Sequence, residues 1–128
     1  SLVLMERAAL QIVETMHKKN ISTEKSLIVC GSGNNGGDGF AVARLLTEQG
    51  KHADVLFAGK EASLSEECRC QKQIVENMGI SVFTEFPDEE YTVIIDAVFG
   101  VGLCREITGH YKDVIDWMNL QDAEKVSC

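Results

Sequence analysis

The sequence is poor in proline, in aromatic residues and in positive charge. Its 128 residues include one proline and 6% aromatic residues, and 12 Lys and Arg stand against 20 Asp and Glu, giving a net charge of −8. A negative surface repels polyanions, so we expect no nucleic-acid partner. An apolar fraction of 45% and a charged fraction of 25% are typical of an ordinary globular domain.

Long hydrophobic runs are also absent. The uninterrupted apolar segments, such as residues 93–95, are far shorter than the roughly 20 residues that a membrane-spanning helix needs. The five cysteines form no C-x-x-C pair, and we expect no secretory leader before Leu2, which favours reduced thiols. We therefore expect a soluble, cytoplasmic domain with no membrane partner.

Hydrophobic spacing predicts alternating strands and helices in a single domain, residues 1–128, that is trimmed at both ends. Helices are predicted at 2–18, 40–49, 64–77 and 111–118, and strands at 26–30, 54–58, 80–86, 91–99 and from 125 onward. Repeated strand–helix units imply parallel strands, because right-handed crossovers place helices on both faces of the sheet. The predicted fold is α/β, a Rossmann-like three-layer αβα sandwich with a mostly parallel sheet.

A glycine-rich loop is predicted between the first strand and the next helix, at residues 31–39. Gly31, Gly33 and Gly36 satisfy the G-x-G-x-x-G pattern in the strand-to-helix context where such a loop binds phosphate. The acidic residue that dinucleotide dehydrogenases carry about 20 residues later is missing, because apolar residues 55–57 occupy that region. An ordinary NAD dehydrogenase is therefore disfavoured, and the missing Walker pattern disfavours a P-loop NTPase.

Polar side chains in and after this loop suggest a second kind of ligand. Asn34, Asn35 and Asp38 carry hard oxygen ligands that suit a cation, although Asn and Asp also serve in turns and helix caps. Asp96 lies near the end of an apolar strand, where a buried carboxylate must be protonated, hydrogen-bonded to loop amides or paired with a cation. Because first and fourth strands are neighbours in a doubly wound sheet, we expect Asn35 and Asp96 to meet at its carboxyl edge.

The segment after this strand is predicted to form the other wall of the pocket. Gly100 and Gly102 allow close backbone approach, and Arg105 offers charge for a phosphate unless it is simply solvated surface. Tyr111 either stacks on a flat ring of the ligand or covers the core with its helix. The residues themselves leave that choice open.

Three segments together resemble the NAD(P)H-hydrate epimerase family, the YjeF-type N-terminal domain. They are Leu4-Met5-Glu6-Arg7-Ala8-Ala9, Gly33-Asn34-Asn35-Gly36-Gly37-Asp38-Gly39 and Ile95-Asp96-Ala97-Val98-Phe99-Gly100-Val101-Gly102-Leu103. The resemblance runs the whole chain. It implies an isomerase that interconverts the R and S hydrates of NADH and NADPH for cofactor repair, alongside a fused or separate dehydratase, and it is compatible with a homo-oligomer.

The resemblance also implies which residues bind. Asn35 and Asp96 would hold a potassium ion, and the substrate would contact Asn34, Asn35, Gly36, Gly37, Asp38, Gly100, Val101, Gly102, Leu103, Cys104, Arg105, Glu106 and Tyr111. In the family, a later loop resembling Asp-x-Pro-Ser-Gly supplies another carboxylate and another potassium ligand. We expect the general acid or base there, beyond Cys128, so the catalytic residue is not named and the activity of this fragment alone stays open.

Two other functions compete with the epimerase. The first is a scaffold or ligand-binding module that keeps the fold without turnover, and the retention of Asn35, Asp38 and Asp96 argues against it. The second is a plain nucleotide-binding domain of an oxidoreductase, which the missing acidic residue disfavours. Preference for NADH or NADPH hydrate stays open.

Overall fold

The helices and strands alternate along the chain in a computed structural model that describes residues 2–98 and 109–128. The helices are α1 (Leu2–Lys18), α2 (Asn34–Glu48), α3 (Glu66–Asn77) and α4 (Gly109–Leu120), and a short 3-10 helix spans Glu61–Ser63. The strands are β1 (Lys25–Cys30), β2 (His52–Phe57), β3 (Val82–Phe83), β4 (Val93–Ala97) and β5 (Glu124–Ser127). None of the helices in these ranges is both long and apolar enough to span a bilayer.

The five described strands form one sheet in the order β3-β2-β1-β4-β5, and every neighbouring pair is parallel. The chain moves outward from β1 through β2 to β3 and then crosses to the other side of β1. In such a sheet the crevice for ligands opens at the carboxyl ends of the two strands where the direction reverses. Here those strands are β1 and β4, as predicted, with Val29 paired to Asp96 and Cys30 to Ala97.

Helices cover both faces of the sheet. Alternate residues of β1 and β4, among them Ile28 and Ile95, pack with α1, α2 and α3 in one apolar cluster. The residues between them, among them Leu27 and Ile94, pack with Val114 and Met118 of α4 in a second cluster. Strands buried on both faces read as continuous apolar runs, which explains why the sequence predicted β1 and β4 well. The predicted three-layer α/β fold is confirmed.

The predicted loop at 31–39 is wrong in its second half. Helix α2 begins at Asn34 and not at Phe40, so Asn34, Asn35, Gly36, Gly37 and Asp38 lie in its first two turns. Asn and Gly are weak helix formers, and local propensity therefore favoured a loop. Packing of this segment against neighbouring elements overrides that preference, which also removes the helix-capping role considered for Asp38, since Gly33 is the N-cap.

The predicted strand at 80–86 is also wrong in length, because β3 contains only Val82 and Phe83. It lies at the edge of the sheet formed by the described strands, where its partner is β2. Residues 84–86 are exposed, and Pro87 cannot donate a backbone hydrogen bond. The residues after Phe83 are consequently free to form the rim of a cavity at the carboxyl end of β2.

Candidate functional site

The glycines of α2 fix the helix against its surroundings. A Cβ atom at Gly36 would overlap the carbonyl oxygen of Gly31, and a Cβ at Gly39 would lie 2.6 Å from the Cβ of Ala97. At these two positions helix α2 approaches the end of β1 and the end of β4 so closely that only glycine fits. These glycines allow close packing within the protein, whereas the sequence pattern predicts that they let the backbone approach a phosphate.

The amino end of α2 is the open part of this segment. Gly33 is its N-cap and makes no side-chain cap, and among residues 2–98 and 109–128 no heavy atom lies within 4 Å of the position that a Gly33 Cβ would take. The first intrahelical bond runs from the Gly37 N–H to the Gly33 carbonyl at 3.1 Å, so the preceding amides of the first turn have no intrahelical acceptor. Unpaired amides and the positive end of the helix dipole favour an anion at this edge.

The side-chain amide of Asn35 has an unmet hydrogen-bonding need. Its Nδ2 atom is buried and has no partner among the described residues, while Asn34 beside it is exposed. A buried polar atom without a partner is costly, and the two ends of an amide group have almost the same shape. The Asn35 side chain therefore fits two roles. Its nitrogen can donate a hydrogen bond to a ligand, or, if the amide group is turned, its oxygen can contact a cation.

Asp38 lies one turn beyond Asn35 on the same face of α2. Its side chain is half-buried, and burial raises the pKa of its carboxyl group. The carboxylate also acts electrostatically on the thiols of Cys68 in α3 and Cys128 after β5. Asp38 thus belongs to the interior edge of the site and not to the solvated outer surface of the helix.

Asp96 is held near the end of β4 by one of its two oxygens. The Val98 backbone N–H donates to Oδ1 of Asp96 at 2.9 Å, the loop-amide bond that was one of the alternatives for this residue. Within residues 2–98 and 109–128, Oδ2 has no hydrogen bond. Asp54, the carboxylate of β2, has both oxygens satisfied, by the Tyr91 hydroxyl at 2.9 Å and by His52 Nε2 at 3.0 Å. Of these two carboxylates, Asp96 is therefore the one that can still bind a ligand.

Asp38 and Asp96 act on a common neighbour. Burial, together with the nearby carboxylates of Asp38 and Asp96, raises the pKa of the Cys128 thiol to about 12. The Cys128 backbone N–H also donates to the Asp96 carbonyl at 2.9 Å. The carboxylates of α2 and β4 thus reach the same edge of the sheet.

Asn35 and Asp96 nevertheless make no direct contact through hydrogen bonds in the described part of the chain. Asp96 borders a cavity of about 210 Å³ between α4 and β5, with Ile115 and Ser127 among its other walls. No residue of α2 lines that cavity. Asn35 and Asp96 thus lie near the carboxyl edge of the sheet on elements that belong to different layers, and the expected meeting of their side chains stays a prediction.

The remaining predicted site residues are only partly described. Tyr111 lies in the first turn of α4, is half-buried, and has its ring centroid 5.8 Å from that of His110. The rest lie outside the described residues: Gly100, Val101, Gly102, Leu103, Cys104, Arg105 and Glu106.

Two residues at this edge were missed by the sequence analysis. His110 Nε2 lies 3.1 Å from the Ala58 carbonyl, joining α4 to the end of β2, and the carboxylates of Asp38 and Asp96 raise the pKa of the Cys128 thiol beyond the effect of its burial. The only sequence signal for His110 is its position beside Tyr111 at the start of a helix. Neither contact follows from spacing, because each joins residues that are far apart in the chain.

The raised pKa of Asp38 predicts a stability change that depends on pH. The fold disfavours the ionised carboxyl, so at pH 7 the charge costs stability, and this cost disappears below the ordinary pKa of 3.8, where the group is protonated in both states. We expect Asp38→Asn to raise the melting temperature by roughly 1–3 °C at pH 7 and not at pH 3.5. Thermal melts followed by circular dichroism measure this, with the exposed Asp88→Asn as control. An equal gain at both pH values would contradict the assignment.

Comparison with known proteins identifies several relatives. The family model described as YjeF-related protein N-terminus matches residues 1–128. Proteins named NAD(P)H-hydrate epimerase are similar to this chain: that of Oenococcus oeni is 42% identical over 93% of the chain and 58% of the relative. The one from Weissella koreensis is 38% identical over 99% of the chain and 58% of the relative. The one from Limosilactobacillus reuteri is 41% identical over 99% of the chain and 61% of the relative.

A solved structure supports the fold. The crystal structure of yeast ynu0, YNL200c, superposes with a TM-score of 0.78 at 20% identity, covering 98% of this chain and 60% of that one. The chain spans about three-fifths of the length of these curated relatives. Because the family model covers its whole length, the chain belongs to the family of YjeF-related protein N-termini.

Proposed function

We propose that this chain is the epimerase domain of an NAD(P)H-hydrate epimerase, which interconverts the R and S epimers of hydrated NADH and NADPH. One observation carries the proposal: the polar first turns of α2 and Asp96 of β4 share the carboxyl edge where the strand order reverses. That edge is where an α/β sheet binds its ligand. Curated relatives at 36–42% identity carry the name of this activity.

The residues of this chain would bind and orient the hydrated dinucleotide. The amides at the start of α2 that lack an intrahelical acceptor suit its diphosphate, and the buried Asn35 amide suits a polar group of the ligand. Epimerisation requires departure of the hydroxyl with acid assistance and return of water on the opposite face, or an equivalent ring opening. We place the general acid or base in the loop that the family resemblance implies beyond Cys128, and we assign neither Asp38 nor Asp96 to it.

A potassium ion is part of the proposal, with Asn35 and Asp96 as its ligands. The residue types fit the ion, because amide and carboxylate oxygens are hard ligands and Asp96 uses only Oδ1 in a hydrogen bond. The buried end of the Asn35 amide that has no partner would present its oxygen if the amide group were turned by half a rotation. When bound, the ion would supply positive charge beside Asp96. The chain itself contributes the fixed orientation of Asp96, which the Val98 amide holds.

The cellular compartment and a companion enzyme are also part of the proposal. The enzyme would act in the cytoplasm and alongside a dehydratase that accepts one epimer of the hydrate. The reduced state of the described cysteines, Cys30, Cys68, Cys70 and Cys128, is compatible with that compartment.

The test is to incubate the full-length protein that contains this chain with one purified hydrate epimer. We expect the other epimer to form faster than in the protein-free control, and faster in potassium than in sodium chloride at equal ionic strength. Chromatography separates the two epimers. Conversion at the spontaneous rate would overturn the proposal, and thermal stabilisation by the hydrate without conversion would favour the scaffold alternative.

A further inference from the structure

A second cavity lies at the same edge of the sheet, away from the side chains of Asn35 and Asp96. Its volume is about 230 Å³, and it opens beyond the carboxyl end of β2, between the residues after β3 and the start of α4. Its walls include Leu56, Ala58, Thr84, Phe86, His110 and Val114. Sites for complete drug-sized ligands begin near ~300 Å³, so this cavity has the size for one part of a larger ligand.

Ala58 in the wall of this cavity joins it to the segment that leads into the glycine turn before α2. The Ala58 N–H donates to the Cys30 carbonyl at 2.8 Å, and the next residue, Gly59, packs so closely on Ser32 that a Cβ there would lie 2.6 Å from the Ser32 nitrogen. Neighbouring strands are about 4.8 Å apart, so β2 lies roughly 10 Å from β4 across β1. A dinucleotide binds across such a crevice, with one mononucleotide half on each side of the switch point.

At the mouth of the cavity, a hydrogen bond determines which ring nitrogen of His110 carries the proton. Its Nε2 lies 3.1 Å from the Ala58 carbonyl, which can only accept, so Nε2 carries the proton. In the neutral ring, Nδ1 is then an acceptor. The Thr84 hydroxyl adds a further group that can accept or donate.

The opposite wall is aromatic. Phe86 lines the cavity and stacks on Trp117 of α4, with ring centroids 5.0 Å apart and planes within 4° of parallel. The stack holds the orientation of the Phe86 ring without help from a ligand. A flat apolar wall facing a few acceptors suits a heteroaromatic base that carries an amino group. Glu85 and Asp113 also border the cavity, and their charges disfavour a phosphate inside it.

We propose that this cavity binds the adenine base of the dinucleotide substrate, with Phe86 and His110 as its contacts. The identity of the ligand rests on the proposed function, and the cavity itself rests on the arrangement of its walls. The nicotinamide half would then lie toward β4, where Asn35 and Asp96 are placed. The binding energy of the adenosine half would hold the substrate while chemistry occurs at the other end.

The experiment measures the two halves of the ligand separately in the full-length protein. AMP and nicotinamide mononucleotide are titrated by calorimetry into the wild type, into Phe86→Ala and into Thr84→Trp, which fills the cavity from an exposed position. We expect the dissociation constant of AMP to rise on the order of tenfold in both variants and that of the mononucleotide to stay unchanged. For hydrated NADH, KM should rise by a similar factor with kcat retained.

Leu120→Ala is the matched control, because Leu120 is a large apolar residue of α4 that is 83% exposed and lies outside the cavity. Far-UV circular dichroism and melting temperatures establish that the variants are folded. Epimerase activity with AMP binding that neither cavity variant weakens would overturn the adenine site and leave the proposed function standing. Loss of AMP binding in both cavity variants, without epimerase activity in any form of the protein, would support the site and overturn the proposed function.

Discussion

Replacing Gly36 with alanine is expected to lower the free energy of unfolding by about 3 kcal/mol or more. The new Cβ would overlap the carbonyl oxygen of Gly31, and a backbone atom at the end of a central strand cannot move aside as a flexible side chain can. Because globular domains are stable by only about 5–15 kcal/mol, the variant would be partly unfolded at physiological temperature. Urea unfolding followed by circular dichroism measures the loss.

Gly33→Ala is the matched control for this substitution. It adds the same methyl group three residues earlier, at a position with φ at −91° and with no heavy atom of the described residues within 4 Å of the new Cβ. Alanine is a poorer N-cap than glycine, so we expect a loss of under about 1 kcal/mol. Equal losses at the two positions would show that close packing on Gly31 does not explain the glycine at position 36, because helix propensity alone favours alanine there.

The sequence predicted well the strands that are buried on both faces of the sheet. Strands β1 and β4 are buried on both faces, and their side chains carry that information locally as apolar runs. The prediction of β3 failed because the length of an edge strand depends on its one neighbour and on the exposure of the residues after it. The neighbouring positions of the first and fourth strands could be predicted from the doubly wound pattern, and with them the expectation that Asp96 lies at the crevice.

The start of α2 could not be predicted from local sequence propensity. Its first two turns hold three glycines and two asparagines, which are unfavourable for a helix on propensity alone. The helix forms there because Gly36 and Gly39 allow contact with β1 and β4, and those contacts join residues distant in sequence. No pattern within residues 31–39 contains that information.

The side-chain arrangement of the site was less predictable than its location. Which face of a strand a residue occupies changes with a shift of one position, so the register of β4 decides that Asp96 borders the cavity beside α4. The roles of His110 and Cys128 likewise depend on elements that meet only in the folded chain.

Asp96→Asn in the full-length protein is expected to lower kcat/KM for hydrated NADH on the order of 100-fold and to remove the difference between potassium and sodium. Asparagine keeps the shape of the side chain and an oxygen to accept from the Val98 amide, so the end of β4 should keep its structure. The substitution removes the negative charge that would hold a cation. Initial rates across a range of potassium concentrations measure the effect, and Asp122→Asn, an exposed acid at the other edge of the sheet, is the control.

Asn35→Ala should separate binding from stability at the same site. Because the buried Nδ2 of Asn35 has no partner in the described part of the chain, removing it relieves an unpaired polar atom, and we expect the melting temperature to stay equal or rise. Epimerisation should nevertheless fall in parallel with Asp96→Asn, and the double variant should be little worse than either single one, since both remove ligands of one ion. If the two losses instead multiply, or if Asn35→Ala is active and equally responsive to potassium, the two side chains do not share a cation.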